Sequence, residues 1–166
     1  MSHATAEAAT TTKISPKAQR EALVLWKLQQ LTLLAIQAGQ LAQENGLRDR
    51  LRSFGCRLVQ DHRQAHQQVS DRLCEDALRL DLPAAVPHFL LEELDSCKES
   101  FEALKPLHGD AFDRAFTSEI RKFLDQFVGD LEFQAGAISH TGVGRLVRSL
   151  LGSFRNHQQL AYQLET

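Results

Sequence analysis

The stretch VGRLVRSLLGSFRNHQQLAYQL, residues 143–164, decides the fold. Its apolar residues recur at alternating steps of four and three positions, which is the spacing that places side chains on one face of an α-helix. A histidine occupies one position of this otherwise apolar face, so the stretch predicts a core helix that buries an imidazole. The stripe consists of Val143, Val147, Leu150, Phe154, His157, Ala161 and Leu164.

The same helical spacing recurs earlier in the chain, and the sequence shows no hairpin signal and no alternating strand pattern. The chain is therefore predicted to be all-α. A first helix is predicted from Ser15 to Asn45, because serine is a favoured N-cap and Pro16 suits the first helical position. Gly46 is predicted to be its left-handed C-cap. The remaining helices are predicted at 47–79, 88–104, 110–138 and 143–164.

Connection lengths predict how these helices are arranged. The turns near residues 46 and 141 are short enough to force antiparallel pairs, whereas a long connection joins the two pairs. Two hairpins and one long crossover are typical of a ferritin-like four-helix bundle, here up-down-down-up with a short extra helix in the crossover. Residues 1–14, rich in Thr and Ala, are predicted to form a disordered tail. The bundle then comprises residues 15–166.

Composition excludes several classes of protein. The chain has 166 residues, 43% apolar and 24% charged, which describes one domain with a single core. A net charge of −2 is too balanced for nucleic-acid binding, and no apolar run is long enough to span a bilayer. The three cysteines form no disulfide framework and are interpreted as packed thiols. Because the first residues lack the features of a signal peptide, a cytoplasmic location is expected.

Histidines are the residues best suited to chemistry. His62 lies on the core stripe of the second helix, His66 follows one turn later on its flank, and His157 lies on the last helix. A His-x3-His pair with Asp61 beside it can bind a transition metal. The sequence thus leaves two interpretations: a single transition metal held by His62, His66 and His157, or core histidines hydrogen-bonded to Asp, Gln or water.

The second interpretation is preferred because the carboxylates of a di-iron centre are missing. Such a centre needs Glu-x-x-His motifs, but Val59 and Phe154 stand three residues before His62 and His157. The first helix offers Gln37 on its stripe and no inward acid. We therefore expect a non-enzymatic protein with no cofactor and an interaction or stress-related role.

Charge is uneven along the chain. Residues 80–113 carry eight acids and two lysines, whereas the second helix is rich in arginine. The acidic crossover helix is interpreted in two ways: it docks on Arg48, Arg52 and Arg57, or it binds a protein partner, with self-association as a further alternative.

Four short motifs occur along the chain: Ala-Gly-x-Leu-Ala, Val-x-Asp-His-x-x-Ala, Leu-x-Gly-x-x-Phe-Asp-Arg-Ala-Phe and His-x-x-x-Ala. Together they resemble a bacterial ferritin-like domain of unknown function whose members are often titled "predicted outer membrane protein". The most specific is Leu-x-Gly-x-x-Phe-Asp-Arg-Ala-Phe, which contains Asp113 and Arg114. From its place in this motif, Asp113 is predicted to favour the dipole of its own helix, and Arg114 to reach the acidic crossover. The motifs lie at residues 38–42, 59–65, 107–116 and 157–161.

Two departures qualify what this resemblance implies. Leu124 stands where the family usually has a histidine, and Ala35 and Gln37 stand where it usually has glutamate. The resemblance implies the bundle fold, and it implies a degenerate metal site reduced to His62 and His157. Relatives are often exported, but that location is not carried over to this chain.

Overall fold

The computed structural model describes residues 15–75, 86–138 and 141–165. Within these ranges the chain forms helices and no strand, which confirms the all-α prediction. The predicted disordered tail and the predicted extension of the second helix to residue 79 lie outside the described residues. The helices are α1 (Pro16–Asn45), α2 (Asp49–Glu75), α3 (His88–Glu102), α4 (Gly109–Ala137) and α5 (Gly142–Tyr162), followed by a 3-10 turn at Gln163–Glu165.

Helix α1 begins as the sequence predicts and ends differently. The Ser15 hydroxyl accepts a hydrogen bond from Ala18 N at 3.2 Å, so serine caps the helix beside Pro16. Gly46 has φ −66° and ψ 131°, so the prediction of a left-handed C-cap is wrong. Glycine is needed there for space, since a Cβ would lie 2.5 Å from Ala42 O.

The long helices share one core. α1 packs along α2 and α4 packs along α5, while α1 also contacts α4 and α2 contacts α5. All seven positions of the stripe within residues 143–164 are buried, as predicted: six lie on α5, and Leu164 lies in the turn that follows it. The stripe of α4 is buried as well, and its Phe112, Phe116 and Phe127 are fully enclosed. No helix within the described ranges is both long and apolar enough to cross a membrane.

Several core predictions are wrong. Leu47, at which the second helix is predicted to begin, is 54% exposed, and Gln37 lies on the solvent side of α1. Cys56 and Cys74 are exposed rather than packed. Each of these residues lies at the margin of an apolar stripe or outside it, where helical spacing alone does not decide burial.

Asp113 links α4 to the turn between α1 and α2. Its carboxylate is fully buried and accepts hydrogen bonds from Leu47 N at 2.9 Å, Arg48 N at 3.1 Å and Arg48 Nε at 2.9 Å. The prediction that Asp113 serves the dipole of its own helix is therefore wrong. The carboxylate instead satisfies amide groups that open α2, so it fastens the two hairpins to each other.

The crossover helix α3 docks on α1 and α4, so its predicted docking on Arg48, Arg52 and Arg57 is wrong. Lys27 of α1 anchors it by ion pairs with Glu93 at 3.3 Å and Asp130 of α4 at 2.6 Å. Among the described residues no ion pair joins Arg114 to α3, against expectation. Lys27 holds α3 in place instead of Arg114, because its ammonium group lies between the carboxylates of Glu93 and Asp130.

α1 and α2 approach each other closely at Gly39 and Gly55, where they meet backbone to backbone. A Cβ on Gly39 would lie 2.7 Å from Gly55 O, and one on Gly55 would lie 2.5 Å from Gly39 O. These distances are shorter than any ordinary carbon–oxygen contact. Glycine at both positions therefore sets the separation of the first helix pair.

We expect Gly39→Ala and Gly55→Ala each to lower the unfolding free energy by about 1–2 kcal/mol, because the added methyl must force the helices apart. Gly129→Ala is the matched control: it lies within α4, and a Cβ there would meet nothing within 4 Å. Alanine's helix propensity should make that variant more stable by about 0.5–1 kcal/mol. Urea unfolding measures all three. Stabilisation by Gly55→Ala would contradict the close approach.

Candidate functional site

Two histidines meet in the centre of the helix assembly. His62 comes from α2 and His157 from α5, and both are fully buried, as their stripe positions predict. Their ring centroids lie 5.1 Å apart, with 40° between the ring planes. The fold thus brings together two of the three predicted site residues.

Aromatic side chains enclose the imidazole pair. The ring centroid of Phe154 lies 4.6 Å from that of His62, and Phe54 meets His157 edge-on at 6.1 Å. Phe54 is not among the site residues that the sequence predicts. Its position two turns before His62 on the same helical stripe is the signal that could have placed it beside the site.

The ring nitrogens of this pair lack hydrogen bonds. Among the described residues, neither Nδ1 nor Nε2 of His62 or of His157 has a hydrogen-bond partner. Buried polar atoms are almost always paired in native proteins, and an unpaired one signals a bound water, an ion or a functional role. Both rings of the buried pair carry such nitrogens.

Asp61 provides the nearest charge. Its Oδ2 lies 3.1 Å from His157 Nε2, and its side chain is 45% exposed. The oxygen is at hydrogen-bond distance but not aligned with the ring N–H direction, so the contact is electrostatic rather than a formed hydrogen bond. The sequence predicts Asp61 beside the His62–His66 pair, whereas the histidine that its carboxylate contacts is His157 of α5.

Burial keeps both imidazoles neutral. Desolvation, reinforced by the neighbouring His157, lowers the pKa of His62 to about 3. Desolvation also lowers the pKa of His157; Asp61 opposes this shift and Arg57 adds to it. A neutral imidazole offers one unprotonated nitrogen, which is the form that binds metals.

His66 is held apart from this pair. Its Nδ1 lies 3.1 Å from the Thr32 hydroxyl, which itself donates to Gln29 O at 2.9 Å. Since a hydroxyl has a single proton, Nδ1 of His66 must be the donor in the first contact. His66 thus serves the α1–α2 interface, and the structure does not bring it to the other two imidazoles.

The arrangement supplies two close imidazole donors and one carboxylate at the rim. Within residues 15–75, 86–138 and 141–165, no group of three or more His, Cys, Asp and Glu side chains is placed to hold a metal ion. A carboxylate-bridged pair of metals therefore has no ligand set here.

We expect His62→Leu to stabilise the metal-free protein by about 1–2 kcal/mol at neutral pH, because it removes two buried nitrogens that have no partner. It should also weaken the pH dependence. As pH falls below about 6.5, unfolded wild-type chains bind a proton at His62 that folded chains refuse, which costs up to about 1.4 kcal/mol per pH unit. Denaturant unfolding between pH 4 and pH 8 measures both effects.

A loss of stability in His62→Leu at neutral pH would show that the imidazole makes hydrogen bonds in solution. His66→Leu is the control on the same helix. It removes a formed contact to Thr32 and should destabilise the protein by about 0.5–1.5 kcal/mol.

Comparison with known proteins gives one match. The family described as "Domain of unknown function (DUF4142)" matches residues 3–164, which includes all five helices. No curated protein and no solved structure matches the chain. Because the match extends over nearly the whole sequence, the chain belongs to the DUF4142 family.

Proposed function

We propose that this protein is a non-enzymatic, ferritin-like helical bundle that binds a single transition-metal ion between His62 and His157. The observation that carries the proposal is the pair of buried imidazoles with four nitrogens lacking partners. Imidazole nitrogen suits zinc, copper, nickel and iron. The site is the remnant of a larger metal centre whose carboxylates are replaced in this chain.

The separation of the rings supports this proposal. Two imidazoles that bind one tetrahedral ion at about 2.0–2.1 Å hold their ring centres roughly 5 Å apart. The centroids of His62 and His157 are 5.1 Å apart. The remaining coordination positions fall to water.

Contacts between the hairpins support the ferritin-like, up-down-down-up order. Asn45, at the end of α1, donates to Lys105 O at 3.0 Å and Leu107 O at 3.1 Å, immediately before α4 begins. Asp113 in the second turn of α4 meets the start of α2. α4 therefore starts beside the end of α1 and runs antiparallel to it, in the same direction as α2, as expected for two hairpins joined by a long crossover.

Burial favours binding over catalysis. Both imidazole side chains are fully buried, so a substrate would have no direct contact with an ion held there. A metal enzyme keeps an open coordination position that its substrate can reach. Here Phe54 and Phe154 pack against the two rings.

The test is a titration of tag-free, chelator-treated protein with Zn²⁺ and with Cu²⁺. We expect one ion per chain, and a thermal midpoint that rises with metal concentration because binding is linked to folding. His62→Leu and His157→Leu should lose this uptake, whereas His66→Leu should keep it. Absence of uptake in the wild-type protein, or equal uptake in His62→Leu, would refute the proposal.

A second candidate function is protein binding at α3. Glu92, Asp95 and Glu99 are exposed on this helix, and Phe89 at its start is 64% exposed. An acidic face beside an aromatic side chain suits a basic partner with an apolar contact. Glu93 is not part of this face, because it is paired with Lys27.

The partner hypothesis is tested by pull-down with the wild-type protein and with Glu92→Lys, Asp95→Lys and Glu99→Lys combined. We expect a specific partner to be lost from the variant and retained by Asp71→Lys, a charge reversal on α2. An identical set of bound proteins in all three samples would argue against this candidate.

A further inference from the structure

The buried imidazole pair is connected to the surface on one side by Asp61. This carboxylate lies 3.1 Å from His157 Nε2 while its side chain is 45% exposed. One side chain thus touches both the buried pair and solvent. His66, by contrast, is directed towards α1, because its Nδ1 contacts the Thr32 hydroxyl.

A surface cavity lies next to this connection. It has a volume of about 490 Å³, and its lining includes Ser53, Phe54 and Arg57 of α2 together with Leu160 of α5. Phe54 forms the floor between this cavity and the imidazole, because its ring meets His157 edge-on. The cavity and Asp61 therefore approach the same imidazole from the groove between α2 and α5.

Two side chains of opposite charge, Arg57 and Asp61, lie at this groove. Arg57 precedes Asp61 by one helical turn, so both side chains lie on the same side of α2. No ion pair within 4.0 Å joins them among the described residues, so the Asp61 carboxylate is not neutralised by this neighbour. A free carboxylate at the rim attracts cations, whereas the guanidinium repels them.

We propose that Asp61 is the access residue of the His62–His157 site: it captures a hydrated divalent cation at the surface and passes it to His157. This inference rests on the metal-binding function proposed above. A hydrated ion exchanges a water for the carboxylate oxygen, then for the imidazole nitrogen 3.1 Å away. No proton or electron needs to be supplied, because a neutral imidazole already carries the lone pair that binds the ion.

The role of Asp61 is tested by stopped-flow kinetics of Cu²⁺ uptake, followed by the absorbance of copper–imidazole bonds. We expect Asp61→Asn to lower the association rate constant about tenfold, within the range that charge steering of ions produces. A residue on the access route speeds departure as well as arrival. The dissociation rate constant should not rise, so that any increase in Kd comes from slower association.

Arg57→Gln should have the opposite effect, raising the association rate constant, and Asp71→Asn is the control. Asp71 lies ten residues beyond Asp61 on α2, roughly 15 Å along the helix, and its carboxylate accepts from Gln67 Nε2 at 2.6 Å. Uptake rates equal to wild type in Asp61→Asn would overturn the proposal. So would faster dissociation with unchanged association, which would make Asp61 a permanent ligand. Failure of the wild-type protein to bind Cu²⁺ would instead refute the metal-binding function itself.

Discussion

Asp113→Ala is expected to lower the unfolding free energy by about 3–5 kcal/mol, the loss of three hydrogen bonds to a buried carboxylate. The variant leaves Leu47 N and Arg48 N without their acceptor at the start of α2. It also removes the ion-pair partner of Arg48. Because that guanidinium is half exposed, hydration compensates for part of the lost interaction.

The effect of Asp113→Ala depends on pH in a defined direction. Desolvation acts to raise the pKa of Asp113, but the hydrogen bonds from Leu47 and Arg48 together with the Arg48 charge outweigh it and hold the pKa below its ordinary value. A carboxylate with a lowered folded-state pKa contributes its full stability above the unfolded pKa of about 4 and loses it as pH falls further. The difference in unfolding free energy between the wild-type protein and Asp113→Ala should therefore become smaller below pH 4.

The control for Asp113→Ala is Asp110→Ala, which removes an exposed acid from the first turn of the same helix. Its loss should cost at most about 1 kcal/mol, the ordinary value of a helix-dipole interaction. Equal destabilisation by the two variants in urea unfolding would contradict the link between α4 and the α1–α2 turn.

Phe154→Ala is expected to lower the unfolding free energy by about 3–5 kcal/mol, because it empties a fully buried aromatic position. The ring of Phe154 packs 4.6 Å from that of His62, so its removal also lets water reach the imidazole. Calorimetry measures the stability. The pH dependence assigned to His62 should become shallower in the variant, since a hydrated imidazole titrates closer to its ordinary pKa.

Phe133→Ala is the matched control for the aromatic core variant, since Phe133 lies on α4 and is 76% exposed. Surface substitutions of this kind change stability by about 0.5 kcal/mol or less. A similar loss in both variants would mean that Phe154 is not part of a tightly packed centre.

Most of the correct predictions from the sequence came from the helical spacing of apolar residues. This spacing identified the five helices, and every stripe residue that it named within 143–164 is buried. It also placed His62 and His157 in the core before their mutual distance was known. Periodicity works for these residues because burial of one face is a local property of the chain.

The contacts that join distant segments could not be predicted in the same way. Asp113 meets Leu47 and Arg48 across more than 60 residues, and nothing in the spacing of either segment specifies the other. The motif that contains Asp113 marked the residue as noteworthy, but it did not identify its partner.

The approach of α1 to α2 left a detectable signal. Gly39 is flanked by the small residues Ala35, Ala38 and Ala42, and Gly55 faces this group from α2. A cluster of small side chains on one helix face indicates a close neighbour. Helical spacing alone did not reveal the approach, because it weighs apolar side chains and glycine has none.

The sequence predicted candidate residues of the site but not how their side chains are arranged. His66 follows His62 by one turn, and that spacing suggested a shared ligand set. The structure instead directs His66 to Thr32 of α1. Which neighbour a flank position faces depends on how the helices are rotated against each other, and rotation is set by packing over the whole interface.

Anomalous X-ray diffraction from crystals of the zinc- or copper-loaded protein tests the central claim most directly. We expect one anomalous peak in the core, about 2.0–2.1 Å from one ring nitrogen of His62 and one of His157. The peak should be absent from crystals of the His157→Leu variant loaded in the same way. A core without a peak, or ions bound only at surface carboxylates, would contradict the claim that the paired imidazoles form a metal site.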